Sequence, residues 1–581
     1  MAASLQHFDG LALAAVVAEL AAHGEARIDK VAQPSAHELC LQLRAGGTNL
    51  RLYVNLQDQW ARLHLVTRPL GNVPVPAGFT MQLRKHLEGS RLLRVEQPGL
   101  ERVVRLVVAG RDELGDPYER HLVLELIGKY ANAFLVDGRQ GTILGCLRPV
   151  TEAMCQVRQL GPGLPYDPPP APAGKVPLLE ADAAAVAAAL GAAGGVAEGL
   201  VARFAGLSRL SARQLLEALG VAPDATVATL APAAREALVA GVLAACEQVR
   251  AGRFWPRSTP DGWAVWWAGP GVPPGGPGAS AVLEAYFSGR QAAARLGERR
   301  RVLARELAER ERKLAERLAT WEQALAKAEG ADRHRELGDL LAAHMHALRP
   351  GLEAIEVDDW FAEAGGRVTI ALDPRLTPSE NIQRCFRRYQ KARNGRRAAT
   401  ELLTGGREDA AYLASVVSAV ALAPELADLE EIAQELGLAR APAPRRGQAP
   451  AAPEPLRVTS SDGLPILVGK NNRQNEFVTF QAAHAGDWWL HTQGIPGAHV
   501  VIRAQDEAPT RTLHEAATLA AWFSQARDSS RVPVVYTRRR HVKKARGARP
   551  GMVVYEQERT LFVTPDPAVV AALLQTQSAR S

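Results

Sequence analysis

Between residues 296 and 328, six leucines and a tryptophan recur at steps of three, four and seven: Leu296, Leu303, Leu307, Leu314, Leu318, Trp321 and Leu325. A seam of this kind, flanked by charges of both signs, specifies a long helix that buries one narrow stripe against a partner helix. At 1.5 Å per residue it extends roughly 50 Å, longer than a small domain is wide. A chain built around such an element has more than one core. The length agrees, since 581 residues correspond to roughly three to five domains.

The segments on either side change texture. Residues 1–172 alternate helix-period and strand-period stretches (LCLQLRAG, LRLYVNLQ, RLHLVT, RVVRLVVAG, RHLVLELIG, NAFLVD) and close on the proline-rich YDPPPAPAGKVP. Residues 180–255 are rich in Ala and Leu and read as short helices. The turn at Gly206, with Ser208 as N-cap, fits either a helix-hairpin-helix whose amides face a phosphate or a plain structural helix pair. The Pro and Gly content of WPRSTPDGWAVWWAGPGVPPGGPGAS excludes regular elements. Residues 283–437 read as a coiled-coil hairpin, its second run spanning 400–437. A small insert at about 350–400 lies between the arms, with a helix start at Thr377-Pro378-Ser379-Glu380. Residues 438–455 form a Pro/Ala linker, and 456–566 mix strands with the helix TLHEAATLAAWFSQARD. The expected class is multidomain α+β.

Several functions lack their signatures. MAASLQHFDGLALAAVVAEL has no basic leader region and carries Asp9 and Glu19, so it reads as an amphipathic first helix rather than a signal peptide. No apolar run reaches membrane-spanning length, and a cytoplasmic protein is expected. The five cysteines are scattered without a CxxC, which points to reduced thiols. Asp487, His491 and His499 in DWWLHTQGIPGAHVVIR match no zinc spacing, and no GxSxG, catalytic-cysteine or GxxxxGK[ST] motif occurs. No catalytic residue, metal or cofactor is expected.

The formal net charge of +7 is unevenly spread. SSRVPVVYTRRRHVKKARGARPGMVVY holds eight Lys or Arg residues and no acid, interleaved with Tyr536 and Tyr555. The pattern predicts a folded RNA-binding surface: Arg538, Arg539, Arg540, Lys543, Lys544 and Arg546 for phosphates, the tyrosines for base stacking. The alternative is a solvated basic face. LVGKNNRQNEF adds Lys470, Asn471, Asn472 and Arg473 as groups for phosphates or bases. His491 and His499 are expected to be hydrogen-bonding or RNA-facing, with one of Trp488 and Trp489 in the core and the other a platform.

A set of stretches in fixed order resembles the NFACT family of ribosome quality-control proteins. They include FDG (8–10), RIDKVAQPSAHEL (27–39), MQLRKHLEG (81–89), FAGLSRLSARQL (204–215), LDPRLTPSENIQRCFRRYQKAR (372–393), ILVGKNNRQNE (466–476) and HVKKARGARPGMVVY (541–555). The resemblance implies an NFACT-N domain like the N-domain of DNA glycosylases, a helix-hairpin-helix, a coiled-coil hairpin with an insert, and an NFACT-R domain. It further implies a protein that binds the split large ribosomal subunit, through rRNA, while that subunit still holds a stalled peptidyl-tRNA. Such a protein recruits tRNA, alanyl-tRNA in bacteria, for untemplated C-terminal tailing, with a small RNA-binding protein as a further partner. The ribosome's own peptidyl-transferase centre makes the bonds, so no enzyme is expected. The family's Asp-Arg pair for tRNA falls on QPGLERVV, where it becomes Glu101-Arg102, one methylene longer in the acid. Asp9 matches another tRNA-linked position; its plain structural role is a helix N-cap, and that of Glu101 and Arg102 is a surface ion pair. Two rival readings accompany this one. A glycosylase would need an N-terminal proline where this chain has Ala2. A fibronectin-binding adhesin, as an older label of the family suggests, would need export.

Overall fold

The computed structural model describes residues 8–578, apart from 74–75, 113, 192–194, 260–261, 266–275, 363–364, 439–452, 505 and 545. The chain divides into two compact units, Met1–Ala293 and Ala294–Ser581.

The first unit is built on a nine-stranded antiparallel sheet. Its spatial order is Arg62–Leu65, Thr48–Asn55, Glu38–Ala45, Ala26–Ala32, Arg91–Glu96, Val103–Arg111, Pro117–Glu125, Asn132–Asp137 and Ile143–Cys146. Side chains alternate across the strands. Val104, Leu106, Val108, Leu122, Leu124 and Leu135 face the main core, whereas Val103, Val123, Phe134 and Val136 face a smaller one with Ile143 and Leu160. The helices Gly10–Ala22 and Gly78–Leu87 close the main core, and the helices between Ala183 and Arg250 extend it. Strands Ala26–Ala32 and Arg91–Glu96, absent from the strand-period segments, carry exposed charged residues and irregular registers that mask their period of two. The Trp/Gly/Pro stretch is not wholly irregular: Arg257–Thr259 pairs with Gly262–Ala264, and residues 266–275 lie outside the described ones.

The fifty-residue helix Ala279–Ala328 is rooted here. Leu283 and Phe287 enter the main core. Gln291 joins a buried network, accepting from the Arg62 guanidinium at 2.6 Å and donating to Glu38 at 3.0 Å. Burial, with the Arg62 guanidinium beside it, pushes the neighbouring His64 down to about 3, so the imidazole stays neutral.

In the second unit the seam meets an antiparallel partner, the helix Pro378–Leu422. Leu303 and Leu307 pack with Tyr412, Val416 and Val420. Leu318 and Trp321 lie over Gly406, where a Cβ would come within 2.7 Å of Leu318. The second arm therefore begins at residue 378 rather than 400. Thr377 and Glu380 form a capping box at that point, and nothing after it breaks the helix until Ala423. The insert is correspondingly smaller: a hairpin of Ala354–Asp358 and Arg367–Ala371 on the helix Ala331–Ala343. Linker residues 439–452 lie outside the described ones.

The C-terminal part is a six-stranded antiparallel sheet, ordered Leu456–Thr459, Pro465–Val468, Val500–Ile502, Trp488–Thr492, Val532–Arg538 and Arg559–Val563. The helices Thr510–Trp522 and Pro567–Ser578 cover one face. Adjacent residues of one strand serve the two faces: Trp488 enters the helix-covered core and Trp489 the opposite one, with Leu467, Val501 and Val535. Both tryptophans are buried, which corrects the expectation that one of them is a platform. Among the described residues no helix is long and apolar enough to cross a membrane.

Candidate nucleic-acid interfaces

Three segments far apart in sequence converge in the first unit. Asp9 is buried and caps the first helix, its Oδ1 accepting from the Ala12 amide at 3.0 Å. Its other oxygen accepts from Ser208 Oγ at 2.5 Å and from Ser211 Oγ. Ser208 in turn caps the helix Arg209–Ala218 by accepting from the Ser211 amide. One carboxylate thus joins two helix N-termini, satisfying orphan amides that burial would otherwise leave costly. The N-cap reading of Asp9 matches this geometry, and its oxygens are occupied within the fold.

The third segment is the turn Gln97–Arg102. Gln97 Nε2 donates to the Gly10 carbonyl and to the Glu101 carbonyl, both at 2.8 Å. Leu100 is wedged between two glycines. A Cβ on Gly10 would lie 1.8 Å from the Leu100 oxygen, and one on Gly206, where φ is +83°, would lie 2.5 Å from Leu100 Cβ. Beyond the turn, the Arg102 carbonyl accepts from the Leu126 amide at 2.7 Å and fixes the start of the strand Val103–Arg111. The backbone of Glu101 and Arg102 is thereby held from three sides. Their side chains are half-exposed, and among the described residues neither has a hydrogen-bond or ion-pair partner, so the surface ion pair is not formed. Arg203, Arg209 and Arg213 on the adjoining helices are exposed and equally unpaired among the described residues. A rigid turn presenting an unspent acid and base beside free arginines suits a polyanion with hydrogen-bonding groups, as RNA has.

The C-terminal candidates fare differently. Lys470 forms an ion pair with Asp428 at 2.6 Å, and both side chains are almost wholly buried. Asn471 caps the short helix Asn472–Phe477 and, with Gln474, donates to Glu431. Asn472 donates to Ser415 Oγ. Arg473 lies half-buried beside Glu435, whose carboxyl burial holds above the usual range. The KNNRQ stretch is therefore a seam that seats the sheet domain on the helices Leu426–Glu435 and Pro378–Leu422, not a phosphate-reading loop. Its polarity answers buried carboxylates from another element, which no local pattern reveals.

His499 is buried and bonds Thr479 Oγ1 through Nδ1 at 2.9 Å. His491 packs on the Trp489 ring at 5.8 Å and on His499 at 5.1 Å. Burial lowers His491 to about 4 and holds His499 well below the usual imidazole value, where the His491 ring adds to the effect. His499 is a neutral, hydrogen-bonded core histidine and His491 packs half-buried beside it, so the hydrogen-bonding alternative fits His499 and the placement of the two as RNA-facing groups is corrected. Asp487 is paired with Arg503 at 3.0 Å. Among the described residues no group of three or more His, Cys, Asp or Glu side chains could hold a metal.

The basic run is largely absorbed by the fold. Arg538 donates to the Gly486 carbonyl at 2.6 Å and lies 3.9 Å from the Trp488 ring centre. Arg539 donates to the Thr479 carbonyl at 2.8 Å. Lys543 and Lys544 pair with Glu556 and Glu476. Tyr536 and Tyr555 rest on the buried tryptophans, so neither is a free stacking platform. Arg540 and Arg546 are exposed, and among the described residues neither has a carboxylate partner.

Two family models match in sequence order: NFACT N-terminal and middle domains over residues 9–450, and the NFACT protein RNA binding domain over residues 455–557. This chain belongs to the NFACT family. It is 35% identical to the Rqc2 homolog RqcH of Bacillus subtilis, an alignment covering 94% of this chain and 96% of that protein. The Rqc2 homolog RqcH of Streptococcus suis is 30% identical, with 96% and 98% covered. The C-terminal part of the fibronectin/fibrinogen-binding protein from Streptococcus suis aligns with 48% of this chain and 98% of that one, at 30% identity and a TM-score of 0.37. Within the NFACT frame, sequence reasoning reached Asp9, Glu101 and Arg102 but passed over Gln97 and Ser211. Gln97 opens the same QPGLER stretch. Ser211 stands three residues after the cap Ser208, where a side chain returns to the helix start.

Proposed function

We propose that this protein works in ribosome-associated quality control, binding the split large subunit with its stalled peptidyl-tRNA and recruiting tRNA for untemplated tailing of the nascent chain. The relatives that support this reading are aligned over nearly their whole length, and the C-terminal part matches an RNA-binding domain. The observation that carries it is the Glu101-Arg102 turn, fixed in backbone and unspent in side chain. On this reading alanyl-tRNA is the tRNA recruited, and the helix pair Val196–Arg203 and Arg209–Ala218 acts as a helix-hairpin-helix beside that turn. The chain positions tRNA while the ribosome's peptidyl-transferase centre makes the bonds, in the cytoplasm and with a small RNA-binding protein as a further partner. Arg540 and Arg546 are the basic-run residues available to rRNA. The domain division at 1–172, 180–255, 283–437 and 456–566 separates the tRNA-facing, lever and rRNA-facing parts.

The test is purification of large subunits through a tagged full-length chain, with sequencing of the co-purified RNA and mass spectrometry of the nascent chains. Large-subunit rRNA, a restricted set of tRNAs and alanine-tailed peptides are expected. Subunits without tRNA or tails would sink the proposal. The variant Glu101→Ala with Arg102→Ala is expected to keep the subunit and lose the tRNA.

A further inference from the structure

The two side chains best placed to meet tRNA rest on a turn that has no regular secondary structure of its own. Residues Gln97–Arg102 connect two strands, and Gly99 sits at φ +52°. The Glu101 amide donates to the Pro98 carbonyl at 3.0 Å and closes the turn locally, and its surroundings fix where that turn sits. Here the surroundings consist of the Gln97 amide, which bridges the Gly10 and Glu101 carbonyls, and the two glycine faces that enclose Leu100. The position of Gly10 depends on Asp9, the cap that precedes it. The position of Gly206 depends on Ser208 and Ser211, which bind the same carboxylate. The chain of contacts therefore runs from the helix Arg209–Ala218 through Ser208, Ser211 and Asp9 to Gly10, and from Gly10 through Gln97 to Glu101.

We propose that Gln97, Ser208 and Ser211 are positioning residues for tRNA, and that Asp9 acts with them through the Glu101-Arg102 turn rather than by touching tRNA itself. This rests on the functional reading above, in which that turn is the tRNA contact. The arrangement supplies preorganisation: the acid and base meet their partner without first ordering a loop. It also couples the turn to the helix pair, so a disturbance at Ser211 reaches Glu101 although the two share no bond.

Binding of labelled bulk tRNA to the purified full-length chain tests the inference by a double-mutant cycle. Gln97→Met keeps the size of a half-exposed side chain and removes both hydrogen bonds. In the natural background it is expected to weaken tRNA binding about tenfold. In the Glu101→Ala, Arg102→Ala background the same change is expected to cost less than about twofold, because the groups it positions are gone. Ser211→Ala and Asp9→Asn are expected to follow the same pattern, with the melting temperature and circular dichroism of each variant confirming a folded chain. Equal losses in both backgrounds would overturn the inference and leave the functional reading standing. A loss for Asp9→Asn that persists in the double-alanine background would make Asp9 a direct contact and overturn its part. A natural chain that binds no tRNA would remove the functional reading and the inference together.

Discussion

Replacing Lys470 by methionine keeps most of its volume and removes its charge, leaving Asp428 3% exposed with nothing to neutralise it. At the observed 2.6 Å separation the attraction between the two charges is roughly 6 kcal/mol at an effective dielectric constant of about 20. Desolvation costs several kcal/mol per ion, so the intact pair is worth little net. The broken pair is another matter, because the buried carboxylate keeps its penalty and loses its compensation; about 3–5 kcal/mol is the expected cost. Asp428 Oδ2 already lacks a hydrogen-bond partner, so no second donor cushions the loss. The cost falls on the seating of the sheet domain against the helix Leu426–Glu435, and amide hydrogen exchange in that helix reads it. Exchange through this opening is expected to accelerate roughly a hundred- to several-thousandfold in Lys470→Met. The double variant Lys470→Met, Asp428→Leu is expected to return close to the natural rate or below it. A single variant within about 1 kcal/mol of the natural protein, or a double variant as labile as the single, would refute the reasoning.

Gly10→Ala would drive a methyl into the Leu100 backbone and is expected to destabilise the first unit by about 3 kcal/mol, whereas Gly78→Ala, with open space at its Cβ, is expected to be neutral or to stabilise by up to about 1 kcal/mol; thermal melts compare them. The folded pKa of His491, about 4, lies below its unfolded value, so the unfolded chain takes up the proton first as pH falls. Its contribution is present at pH 7 and declines by about 2 kcal/mol by pH 5, and His64 acts in the same direction in the first unit; denaturant titrations at the two pH values that show no decline would contradict this. Arg540→Ala and Arg546→Ala are each expected to lower the salt dependence of RNA binding by about one unit of slope without changing stability. Arg538→Ala, in contrast, is expected to destabilise the sheet domain, since its guanidinium serves backbone carbonyls and the Trp488 ring.

Much of the architecture was legible because periodicity is a local property. The leucine seam produced its helix, Thr377–Glu380 marked a helix start, although of the returning arm rather than of the insert, and alternating segments became strands. Reading failed where a local pattern had two physical meanings. KNNRQ is polar enough for RNA, yet its amides and ammonium answer Asp428, Glu431 and Ser415. The basic run contains no acid, but Glu476 and Glu556 from outside it neutralise two of its lysines.

The family and most of the elements could be read from the chain alone, because caps, periods and motif order are written in neighbouring residues. Which polar groups are spent and which remain depends on the packed fold. Asp9, Lys470, His499 and Arg538 are consumed by burial and long-range partners, while among the described residues Glu101, Arg102, Arg540 and Arg546 are left without a partner of opposite charge. The reason is that burying a charge or a hydrogen-bonding group is costly unless it is paired. The partners that pair it come from segments distant in sequence, as Ser208 and Ser211 do for Asp9 and Gln291 for Glu38.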